Sequence, residues 1–116
     1  MRAKRMCDIQ CALLRVSGMM VHSVFFWLRT DLAPAAISEF ESGLASLTKV
    51  PVVRHGFWGR PAGTDRPVID RTYSYGLTLA FENRAGHDAY QEDPIHLAFV
   101  MRNKGKWNDI KIYDFE

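Results

Sequence analysis

The sequence predicts an α+β fold in which one four-stranded antiparallel sheet carries helices on one face and pairs with a second copy through the other. Three observations predict it: β-forming runs at both ends of the chain, a helical apolar stripe between the first and second strand patterns, and apolar side chains at both parities of the first and last strands.

The first strand is Met20–Leu28. It is rich in β-formers, with His22, Val24, Phe26 and Leu28 on one face and Val21, Phe25 and Trp27 on the other, so both faces are expected to be covered. Thr30-Asp31-Leu32-Ala33-Pro34 reads as a turn with capping groups and a proline tolerated in a first helical turn. A helix follows, because Ile37, Phe40, Leu44 and Leu47 recur at spacings of three and four while Ser38, Glu39, Glu41, Ser42 and Ser46 take the other side. Gly43 weakens that helix slightly.

Pro51 blocks continuation, and residues 52–60 form the second expected strand. Arg60–Pro67 is punctuated by proline and glycine and reads as a flexible loop. Residues 73–81 alternate, with Tyr73, Tyr75, Leu77, Leu79 and Phe81 expected on one side. Asn83 is a helix cap for a segment through His87 and Tyr90, and Asp93-Pro94 restarts a helix bearing Ile95, Leu97, Phe99 and Met101. After Gly105, residues 107–115 close the chain as a strand, with Ile110 and Ile112 opposite in parity to Lys111, Tyr113 and Phe115. The element order is β-α-β-β-α-β, with the second helical part split at Pro94.

The need for a partner follows from parity. Phe25, Trp27, Tyr113 and Phe115 point away from the side assigned to the helices, and such an apolar patch exceeds what soluble monomers usually leave in water. A two-fold homodimer packing sheet against sheet covers it.

Composition excludes several classes. With 116 residues, 47% of them hydrophobic and 24% charged, the chain is long enough for one globular core and too short for two. The net charge is +2, but Arg2, Lys4, Arg5 and Arg15 lie in the first eighteen residues, and the remainder is slightly acidic. No basic stripe interleaved with aromatics remains, which argues against a nucleic-acid partner. No segment reaches the roughly eighteen apolar residues of a membrane span.

Residues 1–18 are set apart as an N-terminal extension, an upstream-start leader or helical arm. Asp8, Gln10 and Arg15 interrupt the apolar run expected of a signal peptide, and the protein is read as cytoplasmic, with residues 19–116 forming its domain. Cys7 and Cys11 are expected to be free thiols, having no second pair beside them. The histidines His22, His55, His87 and His96 have no mutual spacing of a metal site, so no metal is expected, and His55 and His87 read as surface residues.

The run Val21-His22-Ser23-Val24-Phe25-Phe26, the sequence Tyr90-Gln91-Glu92-Asp93-Pro94-Ile95-His96-Leu97-Ala98-Phe99 and the terminal Tyr113-Asp114-Phe115 resemble the stress-responsive α/β-barrel domain family, often called Dabb. The family signature is a tyrosine followed, a few residues on, by His-Pro-x-His and an aromatic. Asp93 stands here in place of the first histidine. The resemblance implies a ferredoxin-like subunit and a dimeric α+β barrel.

It also implies a range of functions. The family holds plant stress-induced proteins, many bacterial members, and a plant polyketide cyclase in which the signature tyrosine and second histidine are the proposed catalytic pair, working without metal or cofactor. Those positions are Tyr90 and His96 here; the strand-one histidine is His22, and a third-strand histidine of the cyclase falls at Tyr75. The expected catalytic pair is therefore Tyr90 and His96. His22, Val24, Phe40, Leu44, Tyr75, Leu77 and Phe99 are expected to line a ligand cavity between sheet and helices.

An aldol-type ring closure needs a base of near-neutral pKa and a donor for the developing enolate oxygen, roles that suit histidine and tyrosine. The expected function is binding of a small apolar or aromatic keto ligand by a stress-associated dimer, without cofactor. The alternatives are a cofactor-independent cyclase or lyase using the Tyr90–His96 pair, and a quinone-type monooxygenase of the wider dimeric-barrel superfamily.

Overall fold

A computed structural model describes residues 19–116, so the expectations for the N-terminal extension and for Cys7 and Cys11 lie outside the described residues. The elements are β1 (Met20–Leu28), α1 (Pro34–Leu47), β2 (Val53–Gly59), β3 (Tyr75–Phe81), α2 (Arg84–Glu92), α3 (Pro94–Asn103), a short 3-10 turn (Lys104–Lys106) and β4 (Trp107–Phe115). The four strands form one antiparallel sheet in the order β2-β3-β1-β4, a ferredoxin-like topology with the helices on one face.

Register decides which side chains meet. His22, Val24 and Phe26 of β1 pair with Leu79, Leu77 and Tyr75 of β3 on one side and with Asp114, Ile112 and Ile110 of β4 on the other. These even positions face the helices. The core is centred on Phe26, Phe40, Leu44, Leu47, Leu77, Leu79, Phe81 and Tyr90, each at most 2% exposed. Phe40 meets Phe26 edge-on at 5.1 Å between centroids and Phe99 at 5.7 Å, so one aromatic from each of α1, β1 and α3 locks the layers together.

Gly43 has a clearer purpose than its helix propensity suggests. A Cβ there would lie 2.7 Å from Phe99 Cδ1 and 3.2 Å from Asn103 Nδ2, so the missing side chain is what lets α1 and α3 approach. Below that contact Lys106 is buried, and its ammonium donates to Glu39 at 2.6 Å and to Asn103 at 2.7 Å, which satisfies the charge.

Two local expectations need correction. Helix α1 starts with Ala33 as its N-cap and no side-chain cap, because alanine has no acceptor to offer; Asp31, two residues earlier, pairs with Arg29 at 2.7 Å instead. Tyr73 does not share the face of Tyr75; its ring packs against Phe25 at 5.0 Å and Trp27 at 6.4 Å on the opposite side of the sheet. The physical reason is that β3 begins only at Tyr75. Before it, the Asp70 carboxylate accepts from the Thr72 N–H and hydroxyl, so the strand's two-residue alternation does not extend back to Tyr73.

The outer face is apolar and uncovered. Phe57, Tyr113 and Phe115 are 69%, 57% and 61% exposed, and they surround Phe25, Trp27 and Tyr73. Polar relief is slight: Ser23 and Thr78 hydroxyls bond each other at 3.0 Å, and the Lys111 ammonium lies 5.8 Å from the Trp27 ring centroid. No helix among the described residues is long and apolar enough to cross a membrane.

Candidate functional site

The break between α2 and α3 builds the site. Pro94 cannot donate a backbone hydrogen bond, and Asp93 before it is extended, with ψ 138°, so the two helices meet at an angle. Asp93 closes the break by capping α3, its carboxylate accepting from the Ile95 N–H at 2.8 Å. The residue that departs from the family signature therefore has a structural task here. Across this corner the Tyr90 and His96 rings come to 4.6 Å between centroids.

Both line a cavity of about 220 Å³ between the sheet and α2–α3. His22, Val24, Leu77 and Phe99, all expected at the site, line it as well, and Val100, Trp107, Ile110 and Ile112 complete its apolar wall. Phe40, Leu44 and Tyr75 do not. Phe40 and Leu44 are fully buried on the sheet-facing side of α1, while the Tyr75 hydroxyl donates to Glu41 and accepts from Arg60 at the other end of the sheet.

The hydrogen bonds assign protons. A backbone carbonyl only accepts, so the contact between His96 Nδ1 and the Gln91 oxygen at 3.0 Å places the proton on Nδ1 and leaves Nε2 as the basic nitrogen. Burial lowers the His96 pKa, against the opposing bond to Gln91 and the nearby Asp93 charge, and favours the neutral ring. Burial pushes the Tyr90 phenol well above its ordinary range, so it stays protonated and can donate. One cavity wall thus offers a neutral base beside a hydrogen-bond donor.

Two further residues belong to this end of the sheet. His22 Nδ1 lies 2.6 Å from Asp114 Oδ1, its cross-strand partner on β4, and burial lowers the His22 pKa against the pull of that carboxylate. His87, expected at the surface, is instead largely buried: its ring is 5.0 Å from His22 and 5.7 Å from Phe81. Asn83 caps α2 by accepting from Gly86 N–H and so fixes a helix whose residues 87 and 90, three apart, both face the sheet. A signal for Asp114 exists in the sequence, namely a carboxylate at the parity of Ile110 and Ile112 rather than that of Tyr113 and Phe115.

The fold and site define a ferredoxin-like α+β domain with one polar corner in an otherwise apolar cavity. The chain belongs to the stress-responsive A/B barrel domain family, Dabb, whose family model matches residues 20–116. Among solved structures it is similar to a Dabb protein with a ferredoxin-like fold from Mesorhizobium loti, 25% identical with a TM-score of 0.69 over 85% of this chain and 96% of that one. It is also similar to a dimeric ferredoxin-like protein of unknown function from Thermobifida fusca, 20% identical with a TM-score of 0.68 over 84% of this chain and 91% of that one. A third likeness is to the hydroxynitrile lyase of Passiflora edulis, 18% identical with a TM-score of 0.71 over 85% and 93% of the two chains. A search of curated proteins finds no match in sequence.

Proposed function

We propose that the protein works as a homodimer that binds a small apolar or aromatic carbonyl compound in the cavity between sheet and helices. The observation that carries this reading is the convergence of Tyr90, His96 and His22 on one cavity whose remaining wall is almost entirely apolar. The dimer is supported by the exposed Phe57, Tyr113 and Phe115 around Phe25 and Trp27, a surface suited to a second copy of the same sheet. Light scattering tests it: the wild-type chain is expected at twice its monomer mass, and Tyr113→Lys with Phe115→Lys at monomer mass. A wild-type monomer ends that part of the reading.

A second reading, a cofactor-independent cyclase or lyase, is favoured by the protonation pattern. The neutral His96 Nε2 removes a proton next to a carbonyl while the Tyr90 hydroxyl donates to the enolate oxygen; the carbanion then adds to a second carbonyl, and the new alkoxide takes the proton back from His96.

Thermal shift with aromatic ketones and keto acids separates the two. Val100→Trp, which fills the cavity, is expected to abolish the wild-type shift, and His96→Ala to keep it. If catalysis occurs, His96→Ala lowers turnover by about 100-fold or more. A folded Val100→Trp protein that binds as well as wild type places the ligand elsewhere and overturns the cavity reading.

A further inference from the structure

The end of the sheet beyond the cavity carries a group that the carbonyl-binding reading uses only through His22, leaving His87 and Asp114 unassigned. His22, His87 and Asp114 each offer one ligand atom, and these atoms all lie within 4.8 Å of one another. Three elements supply them: β1 gives His22, α2 gives His87 and β4 gives Asp114. The antiparallel register holds His22 against Asp114, and the Asn83-capped helix holds His87 over both. From these juxtaposed donors we propose that His22, His87 and Asp114 form a binding site for a divalent transition-metal ion of the zinc class.

Donor chemistry selects the ion. Two imidazoles and one carboxylate suit zinc and its neighbours, whereas magnesium and calcium prefer all-oxygen sets. Two spaces border the group, the cavity at His22 and a groove at His87 and Asp114. That groove, lined by Met20, Arg84, His87, Asp88, Asp114 and Glu116, reaches Asp114 and His87 from solvent, while His22 is 4% exposed behind them. The groove also favours a cation, because it carries the carboxylates of Asp88, Asp114 and Glu116 against the single guanidinium of Arg84, which is itself paired with Glu116.

The supporting contacts fit. His87 Nδ1 is 3.1 Å from the Asp88 carboxylate, the outer partner that orients a metal-binding imidazole and leaves Nε2 for the ion. That Nε2 now makes only a 3.3 Å contact with the Gln91 amide, which an ion would replace. Zinc needs donors at about 2.0–2.2 Å from the metal, so His87 turns inward, and the ion takes the place of the proton between His22 Nδ1 and Asp114 Oδ1, which passes to His22 Nε2 so that the ring stays neutral. Three protein ligands leave a fourth position facing the groove.

The test uses the full chain carrying Cys7→Ser and Cys11→Ser, so that thiols do not take the metal, titrated with zinc chloride by calorimetry and with cobalt(II) by visible absorption. One ion per chain is expected, with His87→Ala and Asp114→Asn each weakening binding by about tenfold or more, and His55→Ala leaving it unchanged. Absence of saturable binding, or equal affinity in a folded His87→Ala protein, overturns the site. Should those variants fail to fold, imidazole NMR of the parent chain decides: zinc is expected to shift His22 and His87, and a response confined to His55 or His96 refutes the assignment.

Discussion

The two halves of the inner sheet face are built from similar apolar residues and end differently. Between α1 and the sheet, Phe40 and Leu44 of the helix and Leu79 of β3 are 0% exposed and fill the space. Under α2–α3, towards β4, Val24 and Phe99 reach only 5%, Ile112 is 51% exposed, and a cavity of about 220 Å³ remains. The difference lies in the covering helices. One unbroken helix sets Phe40 against Phe26 of β1 and Tyr75 of β3, whereas the pair broken at Pro94 leaves the edge strand β4 partly open and turns Tyr90 and His96 towards the gap. Packing was completed on the side that holds the fold and left incomplete on the side with titratable groups.

Truncation on the two sides should break that symmetry of composition most strongly. Phe40→Ala is expected to cost about 3–5 kcal/mol in urea unfolding, because the filled half cannot collapse around the loss. Ile112→Ala, half in solvent and beside existing space, should cost about 1 kcal/mol or less. Equal losses would show that the open half supports the fold as much as the closed one.

A smaller effect sharpens the contrast by pH. Burial sets the folded-state pKa of His96 below the ordinary 6.5, so the unfolded chain takes up this proton first as the solution is acidified. The stability linked to His96 is complete above pH 6.5 and is lost as pH falls from there towards the lowered folded value. Comparing urea midpoints at pH 7.5 and pH 5 should therefore show a shallower loss in His96→Gln than in wild type. An unchanged slope would mean that His96 is well hydrated and the corner is not a low-polarity site.

Much of this architecture is legible along the chain, since each element carries its own period. The alternation of β1, the Ile37-Phe40-Leu44-Leu47 stripe and the Asp93-Pro94 break all describe local geometry, while the Tyr90–His96 pair comes from the resemblance to the family signature. Parity failed where the backbone left the ladder, as at Tyr73, turned away by the Asp70–Thr72 bonds. In the sequence His87 reads as a surface residue, because a lone histidine on a polar-looking helix suggests exposure. Its inward position depends on where Asn83 sets the start of the helix.

The amino-acid order by itself determined the β-α-β-β-α-β succession and the apolar character of both sheet faces, because periods of 2 and 3.6 residues are local properties of the backbone; Tyr90 and His96 are singled out by the family resemblance instead. Only the tertiary structure decided that His22 meets Asp114, that His87 covers them, and that Phe40, Leu44 and Tyr75 stand outside the cavity. Those outcomes depend on strand register and helix placement. Both are settled by how the packed layers share volume, a quantity that no single segment of the chain contains.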